Sequence, residues 1–334
     1  MKLCFDATRF GSGLDGAVDL AKQRNLTYVE YSFAPFAAGR SNKSQDEKEQ
    51  KYFEGIRQQA DQAGVRFAIL NLDYAVDPLD KRSVKQFLPM MQKLTSLART
   101  LSCPKIGFSV APGRDPAWIS ALAEQYKILR DGLKESGQSG SKVLPADQKS
   151  LAHSGAAIGA DSDDLYKGSR IDFGDFSSDD DLSYVLRLST PVQYRGVSLK
   201  EWRLMEPEEW RQLLSLCEGL TFSYSPGDCL WLGIDYLQNL GSFNQAISHV
   251  VAHDVEINRT LLQDSGMFGP LFWRYRLAGK GQVDWRQAIE LLKLYDFGGV
   301  LSLQFDDEFV NDDDLSLSDA LDEGVKYFAP LLKG

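Results

Sequence analysis

Short apolar runs of strand character in this chain repeatedly end on groups that can hold a cation, a hydroxyl or a proton. In chain order these are Asp6, Glu30, Asn71, Ser109, Glu201, Ser225 with Asp228, His249 with His253 and Asp254, and Gln304 with Asp306 and Asp307. Converging acids, amides and an imidazole suit a divalent cation and a polyhydroxylated ligand. Hard cations take oxygen donors, and an ene-diol intermediate takes a cation across two neighbouring oxygens. Any one strand-end acid is explained as well by capping the helix that follows. The argument therefore rests on the set, which one fold must bring together.

Strand-like runs fall at 3–6, 28–32, 66–71, 106–110, 197–201, 220–224, 246–252 and 300–304. Stretches with helical spacing separate them, at 14–24, 45–63, 83–101, 116–134, 207–217, 234–240, 285–295 and 315–332. Gly64 closes the second helix and Pro116 opens the fourth, as helix ends favour. Strands divided by helices pair in parallel, because parallel neighbours need a crossover. Eight such units predict a closed (β/α)8 TIM barrel rather than an open doubly wound sheet. The first loop, ATRFGSGLDG, also lacks the third glycine of a dinucleotide fingerprint. The expectation is one α/β domain over 1–334, with a polar insertion at 137–195 between the fourth helix and fifth strand. That insertion is rich in Ser, Gly and Asp (HSGAAIGADSDD, FSSDDD). Within it His153 reads as a solvated loop residue, and 184–188 has the composition of a short strand.

The chain has 334 residues, 43% hydrophobic, which is ample for a core, and a net charge of −10. Such a surface repels a polyanion, so no nucleic acid partner is expected. No run approaches 18 apolar residues and no apolar segment follows MKLCFDATRF, so the expectation is no membrane partner and a cytoplasmic location. Cys4, Cys103, Cys217 and Cys229 form no CxxC pair and read as buried thiols.

The C-terminal half carries a specific series of motifs. They are SYSPGDCLWLGID (223–235), ISHVVAHDVEINR (247–259), WRYRLAGKGQVDW (273–285) and GGVLSLQFDDE (298–308). In order and spacing this series resembles the xylose-isomerase-like barrels of the sugar phosphate isomerase/epimerase group, shared with family-2 AP endonucleases. LAKQRNLTYVEY, containing Glu30, and VSLKEW, containing Glu201, extend the likeness into the first half. The resemblance implies a metal held by Glu, Asp, His and Glu on strands five to eight. Carried over by position these are Glu201, Ser225, Val251 and Gln304, so three of the four donors are replaced. Ser225 lies in Ser-Pro-Gly-Asp where Asp-Pro-Ser-His is usual. Val251 stands for a histidine, and Gln304 for an acid. His249 and Asp254 keep family residues, and Asp228 adds an oxygen near the site.

Two outcomes remain open for the metal: Mg²⁺ or Mn²⁺ held weakly by Glu201 and Asp228, or none. Valine cannot coordinate, so a tight Zn²⁺ site is not expected. Paired carboxylates are the family's bases. Gln304 cannot abstract a proton, which leaves Glu201 as a single base beside Gln304 at the catalytic positions. Asn71, His249, Arg274 and Arg276 are the substrate-binding candidates, the two arginines as a grip on phosphate or carboxylate. His249 fits a hydrogen-bonded core position equally well. Trp231 and Trp273 either stack on a sugar face or pack. The function expected is a sugar or sugar phosphate isomerase/epimerase-like protein with a degenerate metal site. The alternative is a non-catalytic barrel that binds a carbohydrate or partner. Association into a homo-oligomer stays open.

Overall fold

The computed structural model describes residues 1–35, 43–111, 115–135, 182–188, 206–267, 269–311 and 316–333. Eight parallel strands form a nearly closed barrel: β1 (Lys2–Phe5), β2 (Tyr28–Phe33), β3 (Arg66–Val76), β4 (Lys105–Val110), β5 (Ser183–Arg187), β6 (Thr221–Tyr224), β7 (Ile247–Ile257) and β9 (Val300–Leu303). Each pairs with the next around the sheet, and β9 returns to β1 with Lys2 opposite Val300. A parallel bridge between Asp6 and Glu30 joins β1 to β2 and closes the ring. Two of the acids singled out in the sequence therefore sit at the seam.

Helix ends follow local chemistry. Asp80 caps α3 (Lys81–Thr100) by accepting from Arg82 N at 3.0 Å and Ser83 N at 3.1 Å. Asp284 caps α9 (Trp285–Leu294) through Gln287 N at 3.0 Å. Pro207 starts α5 (Pro207–Leu216), where its missing N–H costs nothing. Gly64, at φ +67°, ends α2 (Lys43–Ala63) in the left-handed region that glycine adopts without strain.

Side chains alternate along each strand. Phe5, Val29, Leu70, Phe108, Leu186, Phe222 and Leu301 point outward into the continuous core between strands and helices. Their neighbours face the barrel axis. Cys4, Ala68 and Val300 pack with Tyr28 near the N-terminal end, and polar groups occupy the rest. All four cysteines are free and buried. Among the described residues no helix is long and apolar enough to cross a membrane.

Two expectations from sequence need correction. The fifth barrel strand is Ser183–Arg187, paired in register with β4 and β6, and not 197–201. Part of the stretch read as insertion thus builds the barrel, and 197–201 with Glu201 lies outside the described residues. The segment 253–284, to which the sequence pattern assigned no strand or helix, contains β8 (Trp273–Leu277), an antiparallel arm on β7 that pairs His253 with Leu277 and Ile257 with Trp273.

Candidate functional site

The polar lining starts with a carboxylate that has no access to water. Glu30, fully buried, is the single acid in YVEYSF and faces the axis because Val29 takes the outer core. His249 Nε2 lies 2.8 Å from Glu30 Oε2. Ser302 donates to the same oxygen at 2.5 Å, and Asn71 Nδ2 donates to Oε1 at 2.6 Å. Ser223 Oγ sits 2.8 Å from His249 Nδ1, so both ring nitrogens are engaged. A buried ion pair survives when its spare lone pairs and protons are satisfied in this way. Burial alone would raise the Glu30 pKa. The His249 charge and hydrogen bond, the Arg187 charge and Ser302 outweigh it and hold the group at about 2. His249 is buried, with a hydrogen-bond partner at each ring nitrogen.

Asn71 keeps one orphan: its Oδ1 is buried without a hydrogen-bond partner. Gly107 on β4 makes room for it, since a Cβ there would lie 1.8 Å from that oxygen.

Above this floor the strand ends form the C-terminal mouth. Arg187 ends β5, in register with Ser109 of β4 and Ser223 of β6. Its charge reaches across the lumen to both Glu30 and Asp6. Asp6 caps the short turn Ala7–Phe10 through Thr8 N at 3.0 Å. Burial and then the Glu30 charge push its carboxyl up to about 6, against the pull of Thr8 and Arg187. Gln304 Nε2 donates to Ser302 Oγ at 3.4 Å, and Val251 is buried on the same inner face of β7 as His249.

The next level belongs to His253. Ser225 Oγ lies 2.8 Å from His253 Nε2 and accepts from Asp228 N at 3.1 Å, which caps α6 (Pro226–Trp231). Tyr275 stacks on the His253 ring at 4.3 Å and donates to Asp228 Oδ1 at 2.5 Å. Trp231 Nε1 donates to that oxygen at 3.2 Å. The Nδ1 atom of His253 is buried without a hydrogen-bond partner.

The structure brings Asn71, His249, Gln304, Ser225 and Val251 to the lumen and places Asp228 beside His253. Arg274 and Arg276 stand on the β8 arm in ion pairs. Arg274 Nη2 meets Glu256 at 3.0 Å, and a second nitrogen pairs with Glu308. Arg276 meets Glu256 at 2.5 Å and Asp307 at 3.0 Å. Trp231 and Trp273 stack on each other, with centroids 4.3 Å apart. Asp254 holds the turn after the arm by accepting from Gly279 N and Val283 N at 3.0 and 2.8 Å. Sequence reasoning missed Arg187, Ser302, Ser223 and Tyr275. For Arg187 the signal was there: YVLR alternates correctly and ends on a charge.

Among the described residues, the strand-end side chains do not make a donor set that fits a divalent ion. With β5 in place, the four strand-end positions hold Arg187, Ser225, Val251 and Gln304, which offer a cation, an engaged hydroxyl, a hydrocarbon and an amide. A guanidinium repels a metal ion, and Zn²⁺ needs three or four N, S or O donors. Among the described residues no three His, Cys, Asp or Glu side chains are grouped to hold one.

Comparison with solved structures places this geometry. A xylose isomerase domain protein from Alicyclobacillus acidocaldarius superposes with a TM-score of 0.63 at 14% identity over 100% of both chains. The chain shares the (β/α)8 barrel fold of that protein. A D-allulose 3-epimerase from Methylomonas sp., solved with D-allulose, matches at TM-score 0.58 and 13% identity over 99% of this chain and 96% of that one. A probable 3-DHS dehydratase from Bacillus anthracis matches at 0.61 and 12%, over 98% and 99%. The same barrel thus carries different chemistries. No family model and no curated protein matches the sequence.

Proposed function

We propose that the C-terminal mouth binds a small sugar or sugar phosphate and acts on it as an isomerase or epimerase with a degenerate metal site. What supports this reading is Arg187, the last residue of β5, whose charge acts on both Asp6 and Glu30. A guanidinium there supplies fixed positive charge to a substrate carbonyl as it becomes an oxyanion, the electrostatic task of a Lewis-acidic ion in this fold. Asp6, with a pKa near neutrality, is the group suited to carry a proton to and from carbon. Gln304 offers an amide and Asn71 an orphan carbonyl oxygen to sugar hydroxyls, and His249 fixes Glu30 beneath them. Arg274 and Arg276 form the rim. They meet a substrate anion only by giving up contacts with Glu256, Glu308 or Asp307. Glu201, outside the described residues, is the second candidate base. Weak Mg²⁺ or Mn²⁺ binding would depend on Asp228, whose Oδ1 already accepts from Tyr275 and Trp231.

The test is deuterium wash-in. Ketoses and their phosphates are incubated with protein in D2O plus EDTA and read by NMR. Exchange at a carbon-bound hydrogen that persists in EDTA and is lost in Arg187→Met and Asp6→Asn supports the reading. The second reading, a non-catalytic binder, draws on the same substitutions. Saturable sugar binding without exchange would establish it.

A further inference from the structure

One group in the C-terminal mouth has no task in the reaction proposed above. His253 lies on the lumen face of β7, two residues beyond Val251, and is 5% exposed. Its Nε2 lies 2.8 Å from Ser225 Oγ, just after β6, and its Nδ1 is buried without a hydrogen-bond partner. Asp228 completes the cluster, with Oδ1 3.8 Å from His253 Nε2. A hydroxyl, an imidazole and a carboxylate, all buried, thus meet at the end of the barrel where TIM-barrel reactions take place.

Counting hydrogens gives the direction of the central bond. Ser225 Oγ accepts from Asp228 N at 3.1 Å, and His253 Nε2 is its other partner among the described residues. If Nε2 of the neutral ring carried the proton, the Ser225 hydroxyl hydrogen and the Nδ1 lone pair would both go unmatched. If Ser225 donates to Nε2, the one group left over is the Nδ1 N–H. Buried groups without partners are costly, so one orphan prevails over two. In that direction Nε2 is placed to take the hydroxyl proton.

The surroundings favour that transfer. Tyr275 stacks on the His253 ring at 4.3 Å and donates to Asp228 Oδ1, so ring and carboxylate are held together. A proton on Nε2 makes an imidazolium, and the carboxylate 3.8 Å away stabilises its charge. In a serine protease triad the carboxylate holds the other ring nitrogen; here ring orientation falls to Tyr275. Gly227 lets the backbone come close, since a Cβ there would lie 3.0 Å from His253 Cδ2. Arg187, in register with Ser223 two residues before Ser225, brings positive charge to the same mouth for a developing oxyanion. A hydroxyl bonded to an oriented base is the arrangement of an activated nucleophile.

We propose that Ser225 and His253 form a nucleophile–base pair that cleaves a short-chain acyl ester by way of an acyl-serine. As Ser225 Oγ bonds to the acyl carbon, its proton passes to His253 Nε2. As the ester C–O bond breaks, the departing alcohol oxygen takes that proton. Water then attacks the acyl carbon and gives a proton to Nε2, the bond to Oγ breaks, and Oγ recovers the proton. Ester and water become acid and alcohol. The small opening at Ser225, 8% exposed, admits an acetyl group more readily than a long chain. Asp6 takes no part, so this activity does not depend on the isomerase reading.

Two measurements on the full chain test this: hydrolysis of p-nitrophenyl acetate, and labelling by a fluorophosphonate read by mass spectrometry. Saturable hydrolysis is expected, reduced about 100-fold or more by Ser225→Ala and by His253→Gln, with the octanoate ester a poorer substrate. One fluorophosphonate per chain is expected on Ser225, and His253→Gln should suppress it, which a serine serving only as a helix cap would not require. Labelling of the wild type needs no variant to fold. Label on another residue or on none, or acetate hydrolysis unchanged in Ser225→Ala, would overturn the proposal. Failure of deuterium exchange on ketoses would end the isomerase reading and leave this one standing.

Discussion

The two mouths of the barrel bury charge of opposite sign. At the C-terminal mouth Glu30 is surrounded by His249, Ser302 and Asn71, and its charge is satisfied by hydrogen bonds at 2.5–2.8 Å. At the N-terminal mouth Lys105 borders a cavity beside a second ammonium. Removing a partner from a completed network leaves buried groups stranded, whereas removing a charge that opposes its neighbours relieves the fold.

The largest effect expected is therefore from Glu30→Ala, which strands His249 and Ser302 and should cost about 3–5 kcal/mol in chemical denaturation. A cost below about 1 kcal/mol would mean that the network does not exist as described. Next, Gly107→Ala should cost about 1–3 kcal/mol, because its methyl group collides with Asn71 Oδ1. Most of that cost should vanish when Asn71→Ala is added, a coupling that a double-mutant cycle reads directly.

The third expectation has the opposite sign. Lys105→Met should stabilise the protein at pH 7 by on the order of 1 kcal/mol. The folded pKa of about 8 lies below the ordinary 10.5, so the charged form is penalised below pH 8. The gain should shrink as pH rises from about 8 and vanish above 10.5. A loss of stability at pH 7 would show that the interactions of Lys105 outweigh the cost of its burial.

Asp6 sharpens the contrast within the C-terminal mouth. Its folded pKa is raised from 3.8 to about 6, so its contribution is favourable below pH 3.8 and is lost as pH rises through 6. Asp6→Asn should accordingly stabilise at pH 7–8 and remove that part of the pH dependence. Glu30 runs the other way: its contribution is present above pH 4.5 and is lost as pH falls towards 2. The smallest effect is at the rim. Arg274→Ala, at a half-exposed ion pair, should change stability by less than about 1 kcal/mol.

How much the sequence revealed follows from these environments. A lone polar residue in an apolar strand has to face the lumen, which made Glu30, Asn71 and His249 readable. Seven barrel strands were readable for the same reason. The fifth was not, because Ser183–Arg187 sits in a polar Ser/Gly/Asp context while 197–201 has an equally good strand composition. That displacement hid Arg187 and drew attention to Glu201. The β8 arm escaped because WRYRL alternates aromatic with charged residues and rests on Trp231 and Val255 rather than on the main core. The ion pairs of Arg274 and Arg276 depend on Glu256, Glu308 and Asp307, which alternation cannot bring together.

The central claim is that positions 187, 225, 251 and 304 ring one mouth with a donor set unsuited to a metal ion. Titration of Mn²⁺ into the wild-type protein and into Arg187→Glu/Ser225→Asp/Val251→His/Gln304→Glu, with folding checked by circular dichroism, tests it most directly. The account predicts no saturable site in the wild type at millimolar Mn²⁺ and one equivalent bound by the variant. Stoichiometric, tight Mn²⁺ in the wild type, or a folded variant that stays inert, would contradict it.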